Sequence, residues 1–140
     1  MYSCRDKILT KEDITKFKSE LEKLEKKITL FHAKISNKIL SEKKIKIDLI
    51  GFHGQTMFHD GDKRISLQIG DGRLLSQITK KKVIYDFRKN DLINGGQGAP
   101  LTPIFHKLIF KLTKKKSATF LNIGGISNET FINNDGKIFA

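Results

Sequence analysis

The first third of the chain carries a helical pattern of apolar positions. Apolar residues recur at alternating spacings of three and four, at Ile14, Phe17, Leu21, Leu24, Ile28, Phe31 and Ile35. This spacing places them on one stripe of a helix, with Lys and Glu on the other face. Since Thr10-Lys11-Glu12-Asp13 fits a capping box with Asp in the last position, we predict a long amphipathic helix over residues 10–41. A coiled coil is the alternative, but the register slips at Lys38 and Ile39, which favours a helix lying on a sheet.

From Ile45 onward the pattern changes to short apolar runs separated by turn residues. The runs predict strands at 45–52, 65–69, 83–87, 118–123 and 126–132. Short helices are predicted at Leu74 to Ile78 and Ile104 to Leu112, with a hairpin turn at Asn134-Asp135-Gly136. This order of elements is typical of an α/β fold with a mixed β-sheet and flanking helices. We therefore expect the long helix to be followed by an α/β core at 45–140.

Charge and composition narrow the classes of function. The chain has 140 residues and a formal net charge of +12, from 27 basic and 15 acidic side chains. The surplus is spread along the chain and nearly all of it is Lys, which favours solubility, with weak attraction of an anionic ligand as the alternative. Nucleic-acid binding has no support beyond this charge. No apolar run approaches the roughly 18 residues of a membrane-spanning helix, and the single cysteine, Cys4, fits a reducing compartment, so we expect a cytoplasmic protein.

Polar residues collect at the ends of the predicted strands. The groups are His53-Gly54-Gln55-Thr56, Gly70-Asp71-Gly72, Arg88 to Asp91, and Gly124-Gly125. Open α/β sheets bind ligands at such strand ends. Amides, hydroxyls, carboxylates and a fixed cation together suit a polyhydroxylated ligand and an anion.

Several of these groups have structural alternatives. Gly124-Gly125 is suited to an anion-binding nest, but a turn between two strands needs glycine in any case. His53 and His59 are six residues apart across a predicted turn, yet no further ligand has tight spacing, so hydrogen bonding is favoured and no metal site is predicted. His32 and His106 lie on predicted helices beside apolar residues and are interpreted as structural. The Walker and GxGxxG nucleotide motifs are absent.

Five runs of residues, taken in order, carry a family resemblance. They are Ile47 to Thr56 (IDLIGFHGQT), Leu67 to Gly72 (LQIGDG), Asp86-Phe87-Arg88 with Asp91, Gly95 to Leu101 (GGQGAPL) and Asn122 to Asn128 (NIGGISN). Together they resemble the anhydro-N-acetylmuramic acid kinases, closely over residues 47–132. The resemblance implies part of an actin-like or hexokinase-like (ribonuclease H-like) ATPase lobe. The chain is accordingly interpreted as a single partial domain over 1–140, an N-terminal lobe fragment of a sugar kinase.

The resemblance also implies a reaction and a set of site residues. ATP with Mg²⁺ would phosphorylate the 6-oxygen of 1,6-anhydro-N-acetylmuramic acid while water opens the anhydro ring, in bacterial peptidoglycan recycling and amino-sugar metabolism. The substrate-binding residues carried over by the resemblance are His53, Gln55, Thr56, Asp71, Arg88 and Asp91. The residues carried over for the nucleotide phosphates are Gly124, Gly125 and Asn128.

Two family motifs have no match in the 140 residues. These are the phosphate-cradling Gly-Thr-Ser-x-Asp-Gly turn and the Asp-Thr-Gly-Pro-Gly-Asn stretch with the catalytic base, which would fall beyond Ala140. No catalytic residue is therefore assigned, and we expect the chain alone to be inactive. The alternatives are a non-catalytic sugar-binding relic and one half of a split enzyme. The expected partners are a small amino sugar and either a second copy in a homodimer or a separate C-terminal half, with no nucleic acid and no membrane.

Overall fold

The computed structural model describes residues 7–43, 46–123 and 127–140. The helices are α1 (Lys11–Lys16), α2 (Lys18–Lys43), α3 (Gly72–Thr79), α4 (Phe87–Ile93) and α5 (Thr102–Leu112). The strands are β1 (Leu49–Phe52), β2 (Gln55–Asp60), β3 (Ile65–Ile69), β4 (Lys82–Tyr85), β5 (Ala118–Asn122), β6 (Asn128–Ile132) and β7 (Ile138–Phe139). The chain is thus a mixed α/β protein, and it divides into two compact units, one up to Gly98 and the other from Ala99 onward.

The region predicted as one helix, 10–41, contains two. Thr10 Oγ1 accepts a hydrogen bond from the Asp13 amide at 3.3 Å, and Asp13 Oδ2 accepts from the Thr10 amide at 3.0 Å, which completes the predicted capping box. Phe17 lies between α1 and α2 with ψ at 17°, outside the helical region of the backbone. The break lets α1 and α2 both contribute to one apolar cluster.

Helix α2 lies over two separate apolar clusters of the first unit. The first cluster joins Leu21 to Met57 and Ile69 of the β2–β3 hairpin. The second joins Ala33 to two larger residues, Phe52 and Leu75.

The face of α2 that is buried differs from the predicted stripe in its second half. Phe31 and Ile35 are 63% and 40% exposed, whereas the small residues Thr29 and Ala33 are buried. Short side chains at Thr29 and Ala33 let α2 approach its neighbours closely, which longer ones would prevent.

Within the described ranges the strands form three small sheets, whereas a single mixed sheet was predicted. In the first unit β1 and β4 are parallel, with Phe52 opposite Tyr85, while β2 and β3 form an antiparallel hairpin. In the second unit β5, β6 and β7 form an antiparallel sheet. The β1–β4 pair is covered on one face by the second cluster; on its other face Leu49 and Ile84 remain 48% and 50% exposed.

Two elements of the first unit were not predicted. β2 begins at Gln55, within the segment expected to break the first strand, and it is a strand because its backbone pairs with β3. α4 begins at Phe87, the last residue of the expected third strand, and occupies much of the expected glycine-rich loop. The expected first residues of two strands, Ile45 and Ile126, lie outside the described residues.

The second unit has its own polar contact inside an apolar setting. His106 of α5 is buried, its Nδ1 lies 3.0 Å from Thr130 Oγ1 of β6, and its ring stacks on Phe120 with centroids 4.5 Å apart. This contact ties α5 to the β5–β6 hairpin. Over the described ranges, no helix combines the length and apolar character needed to cross a bilayer.

Candidate functional site

A cavity of about 710 Å³ lies in the first unit. Its polar lining residues are Glu25, His53, Arg64, Ser66, Gln68, Asp71, Arg73, Asp86 and Lys89. Its apolar lining residues are Phe52, Ile65, Leu67, Tyr85, Leu92 and Ile93. The volume falls within the usual range for small-molecule sites, about 300–1,000 Å³. The lining therefore combines apolar side chains with carboxylates, cations, an amide and a hydroxyl.

The parallel β1–β4 pair brings two of these residues to one edge. Because Phe52 lies opposite Tyr85, His53 and Asp86 both follow the carboxyl ends of adjacent parallel strands. Asp86 has φ at 59°, a left-handed conformation that costs a non-glycine residue about 1–3 kcal/mol. Its side chain forms no capping hydrogen bond with α4, and its Oδ2 lies 4.0 Å from Lys89 Nζ. This conformation and the position of the carboxylate at the cavity wall make Asp86 a candidate for a functional role.

Asp71 has a structural contact that also orients its side chain. Its Oδ1 accepts hydrogen bonds from the amides of Arg73 and Leu74, both at 2.9 Å, and so caps the N-terminus of α3. Both capping bonds use Oδ1, so the cap leaves Oδ2 for a further partner. The cap fixes the carboxylate at the cavity wall.

A polar row, consisting of Thr56, Gln68, Ser66 and His59, runs across the β2–β3 hairpin. Gln68 Nε2 donates to Thr56 Oγ1 at 3.3 Å and to Ser66 Oγ at 3.0 Å, and His59 Nδ1 lies 3.1 Å from Ser66 Oγ. The row follows the strand register, which pairs Thr56 with Gln68 and His59 with Ser66. Gln68 and Ser66 line the cavity, so the row links Thr56 to the cavity through Gln68.

His59 is held towards its neutral form. Partial burial lowers the pKa of His59 most, the positive charge of Arg88 lowers it further, and the negative charge of Asp60 opposes both effects. A neutral imidazole has one donor and one acceptor nitrogen, and the tautomer decides which of the two Nδ1 is in its contact with Ser66 Oγ.

We expect this histidine to make folding sensitive to acid. Its folded pKa lies below its unfolded pKa, so the unfolded state takes up the proton first and stability falls as pH drops below about 6.5. Urea unfolding of wild type and His59→Asn at a series of pH values measures the effect, and the variant should lose less stability on acidification. Arg88→Met should raise the pKa of His59 in an NMR titration. Identical pH slopes for wild type and His59→Asn would contradict the prediction.

Asp91 organises the glycine-rich loop that follows α4. Its Oδ2 accepts from the Gly98 amide at 2.7 Å, and its carbonyl accepts from the Gly96 amide at 2.8 Å. A Cβ at Gly96 would collide with the Asp91 carboxylate, so any larger residue there would displace that carboxylate from the Gly98 amide. Asp91 does not belong to the cavity lining.

The cavity thus gathers only some of the residues carried over by the resemblance. His53 and Asp71 line it. Gln55 and Thr56 lie on β2, and Arg88 lies on α4, where its positive charge acts on His59. Asn128 lies in the second unit, is exposed, and accepts from Asn122 Nδ2 at 2.9 Å. Gly124 and Gly125 lie outside the described residues. The substrate and phosphate roles of all these residues stay predictions.

The cavity also contains residues that were not assigned to the site. Asp86 could have been found by the strand-end rule, because it directly follows β4. Ser66 and Gln68 are two residues apart in β3, so their side chains lie on the same face of the strand. No sequence signal pointed to Glu25, which reaches the cavity from α2. Among the described residues, no three His, Cys, Asp or Glu side chains are grouped so as to hold a metal ion.

The family profile and the similar proteins found by comparison all carry the same family name. The sequence profile of the family described as anhydro-N-acetylmuramic acid kinase matches residues 3–140. A Pelagibacter ubique protein of that name is 51% identical over 144 residues, covering 99% of this chain and 38% of the relative. Proteins of the same name from Rhizobium etli and Brucella canis are 43% and 44% identical over 126 residues, covering 86% of this chain and 34% of each relative. The chain therefore spans little more than a third of the length of these relatives.

Proposed function

Since the chain belongs to the anhydro-N-acetylmuramic acid kinase family, we propose that it forms the sugar-binding wall of such a kinase. The reaction is transfer of phosphate from ATP to the 6-oxygen of 1,6-anhydro-N-acetylmuramic acid, with water opening the anhydro ring to give N-acetylmuramic acid 6-phosphate. We place this reaction in the bacterial cytoplasm, in the recycling of cell-wall sugars.

The observation that supports this proposal most directly is the chemistry of the cavity lining. Carboxylates accept hydrogen bonds from sugar hydroxyls, and Asp71 and Asp86 place two carboxylates at the cavity wall. Gln68 supplies an amide that can pair with the acetamido group of the sugar. Arg73 is a cation suited to the lactyl carboxylate of a muramic acid derivative. The apolar lining offers surface for the face of the sugar ring.

Within this proposal the chain's own residues act by positioning the acceptor. Phosphoryl transfer depends on holding the attacking oxygen in line with the phosphate, and a rigid cavity wall reduces the freedom of the sugar. His53 and Asp86, at the ends of adjacent strands, would orient the hydroxyl groups of the sugar. Gln55, Thr56, Arg88 and Asp91 would complete or support the wall from β2 and α4.

Because the chain belongs to a family of kinases, we propose ATP as the phosphate donor. We propose that Gly124, Gly125 and Asn128 contact its phosphates. Mg²⁺ commonly accompanies ATP and is held mainly by the phosphates with one or two carboxylates. Among the described residues no group of three His, Cys, Asp or Glu side chains marks a metal site formed by the chain itself. No step is therefore assigned through Mg²⁺ to these residues.

The wider architecture is part of the same proposal. An actin-like or hexokinase-like lobe would contain this chain as a partial domain, which a separate C-terminal half would complete; a second copy of the chain, in a homodimer, is the other expected partner. The mixed α/β content and the parallel β1–β4 pair support a lobe of this type.

Calorimetric titration of the chain with 1,6-anhydro-N-acetylmuramic acid tests the proposal. We expect saturable binding, and Asp86→Asn should weaken it about tenfold, or roughly 1.4 kcal/mol, because a neutral amide accepts hydrogen bonds less strongly than a carboxylate. Asp48→Asn is the matched control, because Asp48 is exposed and precedes β1 at the end opposite His53.

The outcomes separate the candidate functions. Binding that Asp86→Asn and Asp48→Asn leave equally intact would remove Asp86 from the site. Equal affinity for N-acetylglucosamine would contradict specificity for the anhydro sugar. Sugar binding without any ATP-dependent phosphorylation, even when a polypeptide of the relatives' full length is assembled around these residues, would favour the non-catalytic relic.

A further inference from the structure

Two side chains of α2 bind the backbone of the turn that carries Asp71. Glu25 Oε1 accepts from the Gly70 amide at 2.9 Å, and Thr29 Oγ1 accepts from the Asp71 amide at 2.9 Å. Glu25 and Thr29 are four residues apart and so share one face of the helix. They therefore hold two consecutive amides of a turn that is more than forty residues away in sequence.

Thr29 is placed so that its hydroxyl is fully used. The residue is 0% exposed, and its Oγ1 donates to the Glu25 carbonyl at 2.8 Å while accepting from Asp71. A buried hydroxyl is costly unless it is hydrogen-bonded, and here both its donor and an acceptor site are satisfied. Threonine is also a poorer helix former than alanine, which would fit the same close approach. The hydroxyl therefore has a role beyond packing.

The turn itself has little freedom to find other partners. Gly70 has φ at 146°, and a Cβ there would lie 2.7 Å from the ring of Phe52. The turn is thus fitted between β1 and α2, and the Asp71 side chain leaves it to cap α3 at the cavity wall. A shift of the turn would move the Asp71 carboxylate relative to His53 and Asp86.

We propose that Glu25 and Thr29 are positioning residues that set the Asp71 carboxylate for sugar binding. The inference rests on the proposed function and extends the site to α2, which none of the five motif runs includes. Glu25 acts through the Gly70 amide rather than as a free carboxylate in the cavity, although it forms part of the lining.

The test compares variants that remove or retain each acceptor. Thr29→Val keeps the shape and removes the hydroxyl, whereas Thr29→Ser restores it; Glu25→Leu removes the acceptor, whereas Glu25→Gln keeps one. We expect Thr29→Val and Glu25→Leu to weaken binding of 1,6-anhydro-N-acetylmuramic acid about five- to tenfold, and the retaining variants to stay within about twofold of wild type. Calorimetry well below the unfolding midpoint of each variant measures this. If Thr29→Val does not fold, the comparison of Glu25→Leu with Glu25→Gln tests the inference by itself.

Amide exchange gives a second readout that does not depend on the ligand. Exchange at Gly70 should accelerate in Glu25→Leu, and exchange at Asp71 should accelerate in Thr29→Val, while the Met57 amide is unchanged. If Glu25→Leu and Thr29→Val both bind the sugar as tightly as the wild type does, this inference is overturned but the proposed function is not. Absence of sugar binding by the wild type would overturn the proposed function and this inference together. Equal loss of affinity in the removing and retaining variants would also overturn it.

Discussion

Gly54→Ala is expected to abolish measurable sugar binding and to destabilise the first unit. Gly54 has φ at 67°, and a Cβ there would lie 2.6 Å from the carbonyl oxygen of Ile69. The left-handed backbone alone costs a non-glycine residue about 1–3 kcal/mol, and the collision adds to it. The Ile69 carbonyl cannot move away freely, because Ile69 pairs with Gln55 in the hairpin. The connection between β1 and β2 must therefore shift, and His53 with it.

Gly136→Ala is the matched control for this substitution. Gly136 has φ at 73°, but a Cβ there would meet nothing within 4 Å. It should show the backbone cost without the collision, and leave sugar binding intact. Urea unfolding and calorimetry of both variants give the comparison. Equal destabilisation by Gly54→Ala and Gly136→Ala, with binding retained in both, would show that the contact with Ile69 imposes no constraint.

Leu75→Ala is expected to give the largest loss of stability from a single side chain. Leu75 is 1% exposed and packs with Ala33 and Phe52 in the second apolar cluster. Truncating a buried leucine to alanine typically costs about 2–5 kcal/mol, through lost burial and the cavity left behind. The loss here should lie in the upper part of this range, because α2, α3 and the β1–β4 pair all meet at the cluster.

Leu30→Ala provides the comparison for this core substitution. Leu30 lies on α2 and is 44% exposed, so its truncation should cost less than about 1 kcal/mol. Denaturant unfolding followed by circular dichroism measures both free energies. A cost for Leu75→Ala no greater than that for Leu30→Ala would show that the second cluster does not stabilise the first unit.

The sequence predicted elements well where one local pattern decides them. The capping box at Thr10 and the strand at Ile65–Ile69 depend on a few neighbouring residues, and both are present. β2 escaped prediction because Gln55 and Thr56 are polar and follow a glycine, and only pairing with β3 makes them a strand. Phe31 and Ile35 fit the helical stripe yet are exposed, because close packing at Ala33 decides which face of α2 is buried. These outcomes depend on tertiary contacts that no local window contains.

The candidate site shows the same division. His53 and Asp71 line the cavity, and both could be selected from their positions after predicted strands. Glu25 and Thr29 could not, because their roles arise from hydrogen bonds to a turn distant in sequence. The resemblance assigns Asp91 to the substrate, and that role stays a prediction. The structure adds a contact of the Asp91 carboxylate with the Gly98 amide, which its position in the sequence does not reveal.

The half-exposed face of the β1–β4 pair has a consequence for how the chain behaves in solution. Parallel strands are normally buried on both faces, yet Leu49 and Ile84 of this pair are exposed, which makes the face prone to adhere to other apolar surfaces. The net charge of +12 opposes such contacts, because every copy of the chain repels every other. Added salt screens that repulsion and leaves the apolar attraction in place. For the 140 residues taken alone, we therefore expect the charge of +12 to oppose self-association through this face at low ionic strength, and added salt to weaken that opposition.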